Sequence, residues 1–123
     1  MNGVRVLVFC GLIMACWAVQ AQGQASGAES PAEDTVSLGR EAAFNRQRGN
    51  CLACHAMGDG EMAGLVGPPL LMMQQRFPDR DALRQQIWDA TERNPNTRMP
   101  PFGRHGMLSE EEIDWIVDYL YTL

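Results

Sequence analysis

The sequence predicts an all-α domain of four or so short helices, and three observations predict it. Residues 109–120 carry Ile113, Ile116, Val117 and Leu120 at the i, i+3, i+4, i+7 spacing of one buried helical face. Elsewhere the chain shows almost no alternation of apolar and polar residues, the mark of a half-buried strand. Ahead of the midpoint stands Gly49-Asn50-Cys51-Leu52-Ala53-Cys54-His55, of the form C-x-x-C-H, the attachment sequence for c-type haem. Two thiols three positions apart on a helical turn can each add to a haem vinyl group as a thioether. The imidazole that follows then points at the iron as proximal ligand. The expected architecture is therefore helices wrapped around one covalently attached haem c, with Cys51 and Cys54 as its anchors and His55 on its iron.

The first 25 residues read as a secretory leader. Arg5 precedes an apolar run over 6–19, and small residues follow, so cleavage is expected after Ala21 or Ala25. The run is too short to span a bilayer comfortably and lacks a stop-transfer flank, so no stable membrane insertion is expected. Ile13-Met14-Ala15-Cys16 resembles a lipoprotein box, into which Met14 and Trp17 fit poorly. Cys10 and Cys16 would leave with the leader, and the two motif cysteines would remain. A secreted disulfide domain carries more pairs at wider spacing. A thioredoxin-like dithiol needs a βαβ context. Zinc would need Cys51, Cys54, His55 and His105 around one ion, and adjacent Cys54 and His55 suit a tetrahedron badly.

The formal net charge is −5, and all 10 basic residues are arginine. An acidic exported domain is a poor match for nucleic acid or for anionic membranes. A docking ring of lysines is excluded outright.

In chain order, residues 26–36 are rich in Gly, Ala, Ser and Glu and contain Pro31, a composition expected to form a flexible N-terminal tail ahead of a domain over 37–123. Ser37 is placed to cap a first helix bearing Leu38, Ala42 and Phe44, which Gly49 is placed to end. Gly39 either weakens that helix or marks close packing against another. Residues 56–67, with Gly58, Gly60, Gly64 and Gly67, read as a loop leading to Gly67-Pro68-Pro69-Leu70. A short helix over 70–77 is ended by Pro78. Asp79 or Asp81 then caps a helix towards Glu92, with Leu83, Ile87 and Ala90 on its apolar face. Met72 and Met73 read as core residues.

Residues 93–98 form a turn into Met99-Pro100-Pro101-Phe102-Gly103. A thioether is a weak ligand, and the proline pair stiffens the backbone that would hold Met99 against the iron. Met99 is the expected second axial ligand, ahead of His105. Arg76, Arg98 and Arg104 are candidate partners for the haem propionates. Ser109 and Glu112 form a capping box for the last helix.

Taken together, helix, C-x-x-C-H, Gly-Pro loop, middle helix, Met loop and terminal helix resemble class I cytochromes c. That resemblance implies that the first and last helices cross beside the haem, with Phe44 against the 109–121 helix. It also implies that the Pro68 carbonyl accepts a hydrogen bond from the His55 ring. The segments at 49–55, 67–70, Arg76-Phe77-Pro78-Asp79, 99–103 and the ending from Leu108 look like the SoxX family, the smaller haem subunit of the sulfur-oxidising SoxXA complex. This resemblance implies a periplasmic heterodimer with a SoxA-type monohaem or dihaem cytochrome and a transient encounter with the SoxYZ carrier. The activity implied is L-cysteine S-thiosulfotransferase, with the catalytic cysteine on SoxA. The present chain would take the electrons released from thiosulfate and pass them to a small periplasmic electron acceptor. The alternative is a free-standing electron-carrier cytochrome c with no enzymatic role.

Overall fold

The computed structural model describes residues 31–123. The expected leader and residues 26–30 of the expected tail lie outside the described residues. The described residues form four α-helices, α1 (Pro31–Phe44), α2 (Met73–Arg76), α3 (Arg80–Trp88) and α4 (Glu110–Leu120), with 3-10 turns at Cys51–Ala53 and Ala90–Glu92. An isolated bridge joins Met57 and Leu70, and no strand is present among the described residues. The all-α class is therefore the observed one. No helix among them is long and apolar enough to cross a membrane.

The first helix corrects one expectation. Residues 31–36 are helical rather than tail, and Ser37 lies within the helix instead of capping it. Val36 then adds its side chain to the core.

α1 and α4 make the most extensive helix–helix contact. Its centre is Gly39. A Cβ built there would lie 1.9 Å from the Trp115 carbonyl oxygen, so only glycine lets the two backbones meet. Of the two readings of Gly39, close packing is the structural one. Ala42 and Ala43 are buried beside it, and Phe44 sets its ring edge-on to Tyr119, centroids 6.0 Å apart. Ile113, Ile116, Val117 and Leu120 are all buried, as the periodicity of α4 predicts. Ser109 and Glu112 form the reciprocal capping box, worth about 1 kcal/mol.

Asp79 caps α3 by accepting the Asp81 N–H at 3.0 Å. The helix stops at Trp88 instead of continuing to Glu92, because Asp89 turns the backbone extended and caps a separate 3-10 turn. α3 also braces α4. Arg80 bonds the Asp114 and Asp118 carboxylates at 3.1 and 2.8 Å, and Arg84 bonds Asp114 and Glu110 at 3.0 Å each. The last turns of α4 carry no basic residue of their own, and α3 supplies the countercharge. Singly such exposed pairs contribute up to about 1 kcal/mol, but here they fix the register of two helices.

Candidate functional site

After α1 the chain doubles back on itself. The Asn45 carbonyl accepts from the N–H groups of Arg48 and Asn50, and Gly49 N–H returns to the Ala42 carbonyl at 3.2 Å. Asn50 then adopts a left-handed conformation (φ 47°), which asparagine tolerates better than most residues. This puts Cys51 at the start of a 3-10 turn. The Cys51 carbonyl accepts from the N–H groups of Cys54 and His55 at 3.1 and 2.9 Å, so one tight turn holds both thiols and the imidazole. The thiols are not bonded to each other. Burial pushes the Cys51 thiol up to about 11, which keeps it protonated at neutral pH.

The 57–70 loop is laced to this turn by its backbone. Gly64 N–H donates to the Leu52 carbonyl and Gly67 N–H to the Cys54 carbonyl, each at 2.8 Å. The lacing brings the Pro68 carbonyl to 2.7 Å from His55 Nδ1. A carbonyl only accepts, so Nδ1 is the donor, and in the neutral ring Nε2 keeps a lone pair. Gly67 is the space that permits it, since a Cβ there would sit 2.3 Å from His55 Cε1. Gly67→Ala is expected to break this bond. Nitrogen-15 NMR of the imidazole should then lose a slowly exchanging Nδ1–H; an unchanged Nδ1–H signal would refute the steric argument.

Cys51, Cys54, His55, Pro68 and Met99 all line one cavity of about 560 Å³, within the range of clefts that hold a cofactor. Its remaining wall is mainly apolar, including Phe77, Leu83, Ile87 and Phe102, with Ile116 and Leu120 from α4. Met99 is half-buried there. Its N–H donates to the Thr97 hydroxyl at 3.1 Å, and its sulfur lies 3.9 Å from the Gln86 amide nitrogen. His105 sits exposed in the 102–106 turn and does not line the cavity. The donor set fits a haem c: two unbonded thiols, an imidazole of fixed tautomer and a thioether share a largely apolar cavity. Among the described residues no group of three or more His, Cys, Asp and Glu converges to hold a bare metal ion.

Two sequence expectations need amendment here. Met73 is core, as read, but Met72 is 60% exposed in a left-handed conformation ahead of α2. Arg76 and Arg98 line the cavity, with Arg76 held by the Pro69 carbonyl at 2.7 Å. Arg104 instead turns away to Asp89, which is 2% exposed, at 3.0 Å. The Thr91 hydroxyl, and Arg104 with it, outweigh burial and hold the Asp89 carboxyl below the usual range. Its stabilising effect is therefore complete above the ordinary carboxylate range and is lost only as pH falls through the lowered value. Asp89, Gln86 and Asn50 were not visible as site residues in the sequence. Asn50 alone left a signal, an asparagine beside glycine where the chain must turn.

The family model for cytochrome C oxidase, cbb3-type, subunit III matches residues 40–120. An uncharacterized lipoprotein from Aquifex aeolicus (strain VF5) is 36% identical over 77 residues. The aligned region is 61% of this chain and 37% of that relative, so the chain spans well under half of its length. Neither match is a Sox-system protein, and together they overturn the SoxX assignment. The thiosulfotransferase role, the place in sulfur oxidation and the carrier function built on that assignment fall with it. The matched family is a respiratory-chain subunit. The physical reason for the error is that the C-x-x-C-H, Gly-Pro and Met-Pro-Pro segments all serve one cavity. They report how that cavity is built and carry no information about which protein docks outside it.

Proposed function

We propose that this chain, which belongs to the family of cytochrome C oxidase, cbb3-type, subunit III, holds one haem c and relays single electrons within a respiratory oxidase assembly. The supporting observation is the convergence of Cys51, Cys54 and His55, from one turn, with Met99, from a distant segment, on one largely apolar cavity. Cys51 and Cys54 would hold the group covalently, and His55 and Met99 would bind its iron. When bound, haem c supplies a one-electron couple, raised in potential by a His/Met ligand pair.

The chain's own residues supply the rest. Pro68 fixes the His55 tautomer and strengthens the imidazole as a donor. Pro100 and Pro101 stiffen the backbone behind Met99, and Thr97 holds its N–H. The apolar wall excludes water, which favours the less charged reduced state and limits reorganisation around it. With Cys51 and Cys54 joined to the group, no other thiol among the described residues lines the cavity, and electron transfer to and from protein partners of the respiratory chain is the reaction class this reading supplies.

Export to the periplasm belongs to the same proposal, supported by the leader pattern over 1–25. The Aquifex relative is named a lipoprotein, which supports an acyl tether at Cys16 as the alternative, with cleavage before Cys16 instead of after Ala21 or Ala25. Cell fractionation with and without Cys16→Ser tests both.

The decisive experiment is expression in a host that matures c-type haem, followed by denaturing electrophoresis with haem staining. A haem-stained band, lost in the Cys51→Ala/Cys54→Ala variant, is the expected result. A colourless protein with two titratable thiols would overturn the reading.

A further inference from the structure

We propose that Asp89 and Arg104 form a clasp that sets the position of Met99 in the cavity, making both of them positioning residues for the thioether that would bind the haem iron. The inference rests on the haem reading above and goes beyond it to residues outside the cavity.

Met99 lies on the segment between Asp89 and Arg104, and the two ends of that segment meet. Gly103 and Arg104 both donate their N–H groups to the Trp88 carbonyl, at 3.1 and 3.3 Å. Gly103 packs so tightly on Trp88 that a Cβ there would lie 2.0 Å from the indole. The third tie is the side-chain pair. Asp89 Oδ1 accepts from the Thr91 N–H and hydroxyl, which is all that capping the 3-10 turn requires. Its second oxygen is then free to reach across to Arg104 Nη1 at 3.0 Å.

Between those ends the segment holds itself mainly by local bonds. Asn94 N–H donates to Ala90, Thr97 N–H to Asn94, and Met99 N–H to the Thr97 hydroxyl. The link from Met99 back to α3 is the long Gln86 amide contact to its sulfur. Two side-chain contacts near its start, Gln85 donating its amide to Glu92 at 2.8 Å and Arg93 lying over the Phe77 ring, also touch the loop, but neither reaches its Met99 end, and a loop held chiefly at its base moves as a unit when the base opens. A hydrogen bond between charged groups at that base is of the stronger kind, and a carboxylate this buried is costly to leave without its partner. The Arg104 side chain is 62% exposed, so the clasp can be opened without emptying the core.

The test uses the haem-loaded full chain and reads the weak far-red iron–thioether absorption of the oxidised protein. It also reads the rate at which added imidazole displaces the thioether. Arg104→Ala and Asp89→Asn should each speed displacement about tenfold or more, while Arg104→Lys restores most of the wild-type rate. Denaturant midpoints measured alongside separate a local opening from a general loss of stability. Should Asp89→Asn fail to fold, Arg104→Ala carries the test, because its side chain lies at the surface. A wild-type far-red band with displacement rates unchanged in Arg104→Ala would overturn the clasp and leave the ligand assignment standing. A loaded wild-type protein lacking that band would overturn the ligand assignment, and the clasp with it.

Discussion

Replacing Gly39 by alanine should cost the protein about 3 kcal/mol or more of stability, the upper end of what overpacking costs in a well-filled core. The added methyl has nowhere to go. It would stand 1.9 Å from the Trp115 carbonyl oxygen and 2.4 Å from its carbon, and both atoms belong to the backbone of α4. A side chain could rotate aside, but a helix backbone moves only as a body, so α1 must lift off α4. Lifting it would expose Ala42, Ala43 and the Phe44–Tyr119 ring contact together. Denaturant unfolding of the purified full chain measures the loss. Alanine at 39 within about 0.5 kcal/mol of the parent, the usual scatter of surface substitutions, would show that the two helices do not meet as closely as described.

Replacing Met99 by alanine should abolish the far-red iron–thioether band of the oxidised haem-loaded protein and lower its reduction potential. The argument is positional. Met99 lines the cavity with Cys51, Cys54 and His55, half-buried and with its N–H held by Thr97, whereas Met107, which also lines it, is 45% exposed. Met73 also lines the cavity, but it is 2% exposed and packed as core, with its sulfur in contact with Arg76. His105 lies off the cavity in an exposed turn, so His105→Ala should leave band and potential unchanged. Optical spectra and a redox titration of the two variants decide the matter. Persistence of the band in Met99→Ala would sink the assignment.

Both predictions begin from residues that the sequence already singled out, yet they were legible to different degrees. Met99 stood out because a methionine before two prolines is a local pattern with a local chemical use. Gly39 did not reveal its role, since a glycine within a helical stretch has two opposite explanations. Only the position of Trp115, far away in the chain, chooses between them.

The sequence by itself determined the all-α class, the buried face of α4 with its Ser109–Glu112 cap, and the C-x-x-C-H spacing on which the haem proposal rests. Each of these follows from near neighbours: a period of 3.6 residues, a side chain reaching its own helix start, two thiols and an imidazole within one turn. Tertiary structure alone decided that Gly67 makes room for the His55 ring, that Arg104 turns to Asp89 instead of the cavity, and that α3 supplies the countercharge α4 lacks. It also showed that residues 31–36 are helical, where the apolar pattern is too sparse to announce a helix but Val36 packs against the core. Periodicity and spacing describe how a residue relates to its own segment, whereas contacts such as Gly39 with Trp115 or Asp89 with Arg104 exist only once distant segments have packed together.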